Sequence, residues 1–381
     1  MSNKKMILII LAVLLILSLV YINLAGKRQS QITVNTPSLD SNEVNQAQND
    51  IPRLSILADN LEIPWALVFL PDKSILFTER AGRVRIIDNE GNLNPNLIAV
   101  ISDVKHSGEG GLLGIAIHPD FSANHFVYLY YTYSNINDNT LNRVARFEFE
   151  NNKLQKQKII VDGILGASNH NGGRIKFGPD NFLYITTGDA QEPSLAQNIN
   201  SLAGKILRIT DEGRPALDNP FGNLVFSFGH RNPQGLAWDN QNQLWETEHG
   251  PSALDELNII EAGKNYGWPT IQGNQKQAGM ESPILNSGSG TWAPSGTAFL
   301  NGSIFFAGLR GEALFEYKIA EKKLIPHLKG EIGRIREVVV GPASPRGEPE
   351  NLLYITTSNR DGRGTPDNTD DKIIRINPAK L

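Results

Sequence analysis

His170 and Asp189 bracket one strand–turn–strand stretch, ASNHNGGRIKFGPDNFLYITTGD, residues 167–189. An imidazole and a carboxylate at the two ends of one hairpin can meet on the same side of it. A histidine oriented by a carboxylate is a good general base. The bland alternative is a pair of polar turns, because Asn, Gly and Asp are the residues that tight turns use. Taken alone, the stretch fits both readings. A second cluster is basic: Arg231 and Asn232 in GHRNPQG, Arg310 in GLRGEA, and Arg334 and Arg336 in GRIREV. Guanidinium groups bind carboxylate or phosphate bidentately, so several on one face imply an anionic ligand. In a third cluster, ETEHGPSALDELN, Gly250 and Pro251 can offer backbone carbonyls and Asp255 a nearby carboxylate. Oxygen ligands of this kind suit Ca²⁺. GEGGLLG, which carries Glu109, is no phosphate loop: it lacks the Walker lysine and precedes a strand rather than a helix.

These residues need elements to position them, and the chain supplies a repeat. An apolar strand, a Pro/Gly/Asp/Asn turn and a second apolar strand recur as WALVFLPDKSILFTER, LGIAIHPDFSANHFVYLYYT, GRIKFGPDNFLYITTGD, QGLAWDNQNQLWETEHG, SGTAFLNGSIFFAGLR and REVVVGPASPRGEPENLLYITTSNR. The copies are spaced by roughly 40–60 residues. Each is followed by a third strand, from GRVRIID to DKIIRIN, and often by a weaker fourth, such as NLIAVI. Three or four antiparallel strands repeated six times predict an all-β, six-bladed β-propeller rather than a β-sandwich. The last unit stops at its third strand, so RLSILADNL, ahead of the first hairpin, is expected to supply the missing outer strand and close the ring.

Strand direction then locates the site. Residues just before each innermost strand and just after each second strand share one face. The first set is Glu109, His170, Arg174, Arg231, Asn232, Trp292, Arg334 and Arg336. The second is Arg80, Asp189, His249, Gly250, Pro251, Arg310 and Arg360. This face is polar, basic and aromatic, although the chain carries a net charge of -4. The mild acidity gives no reason to expect a nucleic-acid partner. His106, His118, His125 and His327 show no partner pattern, and GKNYGWP reads as packing.

The chain has no Cys, which excludes disulfides, thiol nucleophiles, Cys-ligated zinc, attached c-type haem and a lipoprotein anchor. At the amino end, Lys4 and Lys5 precede an uncharged apolar run, residues 6–25, of roughly the 20 residues that span a bilayer. An uncleaved signal anchor is the favoured reading of residues 1–26, and a cleaved signal peptide the alternative. Both place the remainder outside the cytoplasm, on the periplasmic side, with membrane contact through this segment. Residues 27–50 read as a flexible linker, and 51–381 as the propeller.

Together, GLLGIAIHPDF, NHNGGRIKFGPD…YITTGD, FGHRNPQGLAWD, EHGP…DELN, GKNYGWP and GRIREV resemble the pyrroloquinoline quinone (PQQ)-dependent soluble glucose and aldose sugar dehydrogenases. The likeness runs from about Leu54 to Asn377. It implies a six-bladed propeller that holds PQQ and Ca²⁺ over its central channel. The implied activity is oxidation of an aldose to a lactone by hydride transfer to the quinone, with electrons passing to an external quinone or cytochrome. It implies His170 as catalytic base with Asp189 orienting it, and Arg231 and Asn232 near the reactive quinone. Arg310, Arg334 and Arg336 would bind the cofactor, and Thr291 and Trp292 lie in the matching aromatic segment. Gly250 and Pro251 would be the calcium ligands. Two positions depart from the glucose enzymes. Glu109 stands where an amide is usual, and it is unfavourable beside an anion unless neutralised. His249 stands where Gln is usual. The short loops point to the broader aldose branch. Two other classes remain on the same architecture: a Ca²⁺-dependent lactonase-type hydrolase, which needs no arginine ring, and a non-enzymatic binding propeller.

Overall fold

The computed structural model describes residues 51–342 and 351–381. The apolar run and the linker expected at the amino end lie outside these residues. Among the described residues, no helix is long and apolar enough to cross a membrane.

Six four-stranded antiparallel sheets form six blades, each built from consecutive sequence except the last. The innermost strands are Pro64–Phe69, Leu112–Ile117, Ile175–Phe177, Pro233–Trp238, Pro294–Leu300 and Ile335–Val340, which we number blades 1 to 6. Second strands such as Ile75–Glu79, Leu183–Thr187 and Leu353–Thr357 are buried at every position. A blade packs on a neighbour through both faces, so these strands read as continuous apolar and β-branched runs rather than as alternation. The outer strand of blade 2, Lys153–Leu165, opens with a largely exposed polar stretch, as an edge facing water should.

Blade 6 closes the ring as expected. Leu54–Ala58 pairs antiparallel with Ile373–Ile376, Leu54 lying opposite Ile376. The innermost strands of blades 6 and 1 also touch.

The hairpin that carries the candidate base is tightly closed. His170 has a φ of 60°, Gly172 of 62° and Gly173 of 109°, the left-handed conformations that glycine adopts freely and histidine occasionally. A Cβ on Gly188 would lie 1.9 Å from the His170 carbonyl oxygen. Gly188→Ala is therefore expected to destabilise the protein by about 1–3 kcal/mol, the usual cost of overpacking. A urea midpoint equal to the parent's would contradict this.

Candidate active site

One end of the central channel opens into a well of about 420 Å³. Its wall includes Glu109, His170, Arg231, Gly250, Pro251, Arg310, Arg334 and Arg336, drawn from five of the six blades. Trp65 from blade 1 lies in its floor.

His170 and Asp189 do meet, at the wall of this well. His170 Nδ1 lies 2.7 Å from Asp189 Oδ1. The same oxygen accepts the backbone N–H of Gln191 at 2.8 Å, and Oδ2 accepts Trp268 Nε1–H at 2.8 Å. Asp189 is fully buried, whereas the His170 side chain is 18 % exposed. A carboxylate can only accept, so Nδ1 carries the proton and Nε2 is left as the basic nitrogen. The loop beneath is pinned as well. Gly172 N–H donates to Asn232 Oδ1 at 3.0 Å, and Tyr130 donates to the Asn171 carbonyl at 2.8 Å.

Trp268, in the motif read as packing, is the residue that sequence reasoning missed here. It fixes the second oxygen of Asp189 and carries the Arg231 guanidinium 5.3 Å from its ring centroid. Trp268→Phe removes one charge-assisted bond and leaves the pair in place. We expect kcat to fall roughly fivefold with KM little changed, about 1 kcal/mol. An unaltered kcat would show that Trp268 only packs.

The basic side of the well is organised by Asp361. A single oxygen, Oδ2, accepts from Arg334 Nη2 at 2.8 Å, Arg334 Nε at 3.1 Å and Arg336 Nη2 at 3.2 Å. Burial would raise the Asp361 carboxyl, but the charges of Arg336 and Arg334 outweigh it and hold it below the usual range. The arginines are under-compensated. Burial pulls Arg336 down to about 10 despite Asp361, and it lowers Arg80 and Arg231 too. Arg231 Nε is buried without a partner. Six arginines line the well against three carboxylates, those of Glu109, Asp255 and Asp361. Such a site gains from an anion carrying several carboxylates.

Glu109 is neutralised as its position demands. Its Oε1 accepts from Arg363 Nη1 at 2.5 Å and its Oε2 from the His170 backbone N–H at 3.0 Å. Burial pushes its carboxyl up, but His249, Arg363 and the His170 amide outweigh that and lower it. Arg363 and Asp361 both follow the second strand of blade 6, where the strand-end rule pointed to Arg360. Arg360 instead turns its guanidinium to backbone carbonyls of residues 367–370.

Four other expected positions differ in detail. Arg174 does not join the face; it runs into the channel and pairs with Glu337, both buried. Trp292 does not line the well. Its large apolar ring is buried against Phe306 and Phe315, at 5.2 and 5.9 Å between centroids, while Thr291 and Ala293 line the well. Asn232 is fully buried behind the lining, bracing Gly172. Asp255 is occupied as a clamp. It accepts from Gly250 N–H at 3.0 Å through Oδ1, and from Thr291 Oγ1, Trp292 N–H and Ala293 N–H at 2.6–2.8 Å through Oδ2. It positions the Gly250–Pro251 turn at the edge of the well. His249 Nε2 lies 2.7 Å from the Pro294 carbonyl and so donates to it, which holds the same turn from its other side.

Fold and site together describe a six-bladed propeller whose channel opens into an arginine-rich well with a His–Asp pair at its wall. The chain belongs to the glucose/sorbosone dehydrogenase family, whose model matches residues 61–375. It is 32% identical over 348 residues to the aldose sugar dehydrogenase YliI of Escherichia coli, covering 81% of this chain and 91% of that one. Among solved structures it resembles the PQQ-bound aldose sugar dehydrogenase of Streptomyces coelicolor, with 37% identity, a TM-score of 0.77, and coverage of 85% of this chain and 98% of that one. It also resembles a Thermus thermophilus protein described as a putative oxidoreductase (glucose dehydrogenase), with 42% identity, a TM-score of 0.78, and coverage of 85% and 99%.

Proposed function

We propose that this protein is a PQQ- and Ca²⁺-dependent aldose sugar dehydrogenase that oxidises the anomeric carbon of a sugar to a lactone. The observation that carries the reading is the His170–Asp189 pair, set at the edge of a well with more guanidinium charge than its own carboxylates balance. PQQ carries three carboxylates and fits that excess. Bound there, it would take up the hydrogen and electron pair that leave the anomeric carbon, with Ca²⁺ polarising the accepting carbonyl.

The chain's own residues divide the remaining work. Arg334 and Arg336 would hold cofactor carboxylates, with Arg310 at the rim and Arg231 beside Trp268 completing the cradle. The carbonyl oxygens of Gly250 and Pro251 would hold the calcium. His170 Nε2 accepts the proton of the anomeric hydroxyl, and Asp189 stabilises the imidazolium through Nδ1–H. Trp268 and the Gln191 amide keep Asp189 from turning away. A lactonase would have no use for the arginine excess.

Turnover would need an external electron acceptor, a quinone or a cytochrome. The uncharged run at residues 6–25 supports a tether that places the propeller outside the cytoplasmic membrane, with residues 27–50 as linker. Fractionation of cells making the full chain tests this, and recovery in the cytosol would sink it.

The function is tested by adding PQQ and Ca²⁺ to apo-protein, then following the cofactor spectrum and sugar-driven dye reduction. Binding should weaken sharply once Ca²⁺ is chelated. Equal binding with and without Ca²⁺ would refute the metal's part, and no spectral change at all would refute the cofactor.

A further inference from the structure

Behind the calcium-binding turn, between blades 3 and 4, lies a second acidic cluster that the reaction does not use. His230, Glu246 and Glu248 are all buried, and each offers a ligand atom within 4.8 Å of the others. Asn258 ties Glu256 to them, its Nδ2 donating to Glu246 Oε2 at 3.1 Å and to Glu256 Oε2 at 3.3 Å. Two carboxylates thus lie beside one imidazole, and Asn258 links a third to them. Among the described residues, no lysine or arginine side chain forms an ion pair with any of them.

Two buried oxygens here have no donor: Glu246 Oε1 and Asn258 Oδ1. A buried acceptor without a partner costs free energy comparable to a lost hydrogen bond, and an uncompensated buried charge costs more. The contact between His230 Nδ1 and Glu248 Oε1 is long, at 3.2 Å, compared with 2.7 Å in the His170 pair. The His230 ring is nevertheless held in place. Its Nε2 lies 2.8 Å from Ser227 Oγ, and it stacks on Tyr266 at 4.8 Å between centroids. A metal-ligating histidine has this form, with one nitrogen facing the cluster and the other fixed by a hydrogen bond.

We propose that His230, Glu246 and Glu248 bind a divalent first-row transition ion, separate from the cofactor-site calcium. Imidazole with two carboxylates suits Zn²⁺ or Mn²⁺, whereas Ca²⁺ takes oxygen ligands alone. The ion would supply positive charge that the cluster lacks and the partner that Glu246 Oε1 lacks. The role is structural. Glu248 Oε2 accepts the Arg231 backbone N–H at 2.6 Å, and the strand bearing Glu246 and Glu248 leads directly into Gly250 and Pro251. An ion on Glu248 therefore pins both the cradle arginine and the calcium turn from behind.

The test uses the full chain stripped with chelator, then dialysed against micromolar Zn²⁺ or Mn²⁺ with excess Ca²⁺ to saturate the carbonyl site. After desalting, elemental analysis should find about one equivalent of transition metal in the parent. Glu246→Gln keeps the shape and the acceptor for Asn258 but loses the anionic oxygen, and should retain less than about a tenth of that. A parent without stoichiometric metal, or a variant that holds as much as the parent, overturns the proposal. Should the variant fail to fold, parent crystals grown with Mn²⁺ decide it. An anomalous peak among His230, Glu246 and Glu248 supports the site, and its absence refutes it.

Discussion

His170→Ala should lower sugar-driven turnover by roughly 10²–10⁴-fold, the usual worth of a general base, while leaving the fold and PQQ loading nearly intact. The second half of that expectation rests on position. The His170 side chain is partly exposed at the wall of the well, and its loop is pinned independently by Asn232 and Tyr130 through neighbouring residues. Asp189→Asn should lower turnover less. Single-turnover kinetics on enzyme shown to be fully loaded with PQQ checks both variants. Parental turnover in His170→Ala would leave the NHNGG segment as a polar turn and nothing more.

Arg334→Ala and Arg336→Ala should each weaken PQQ binding by about 10²–10³-fold. Breaking a buried ion pair costs about 3–5 kcal/mol, and each 1.4 kcal/mol is tenfold in affinity. The estimate applies at these positions because both side chains are nearly inaccessible, at 7 % exposure each, and share one carboxylate oxygen. Removing either would leave a carboxylate of the bound cofactor without its proposed guanidinium. Arg310, exposed at the rim, should matter far less, since solvent screens it. Fluorescence titration of apo-protein with PQQ at saturating Ca²⁺ measures all three. Unchanged curves for both buried arginines would remove them from the site.

The propeller was legible because one hairpin recurs six times, and a repeat reports architecture even where single strands are ambiguous. The candidate base was legible for a related reason: a single hairpin joins His170 to Asp189, so local sequence carried the contact. The rest of the site was less legible because its pairings are distant. Arg363 reaches Glu109 across 254 positions, and Trp268 reaches Asp189 across 79. Both come from irregular loops, where neither strand period nor turn chemistry says which way a side chain points. Rules of strand direction placed Arg360 on the face when its neighbours Asp361 and Arg363 are the residues there. Trp292 misled for the opposite reason. Its place at a strand end is right, but apolar surface drew the ring into the aromatic cluster of blade 5 and left the lining to its neighbours.

Closure of the ring through Leu54–Ala58 and Ile373–Ile376 bears on the order of events during synthesis. Blades 1 to 5 are built from contiguous stretches and can assemble as they leave the ribosome. Blade 6 cannot, because its outermost strand is made first and its partner more than 300 residues later, and contacts so far apart in sequence form late. Arg334, Arg336, Asp361 and Arg363 all belong to that last blade or its loops. The growing chain therefore displays the His170–Asp189 pair well before its arginine cluster is complete. A nascent or truncated chain that ends short of residue 376 should be unable to load cofactor, so loading becomes a checkpoint that only a finished propeller passes.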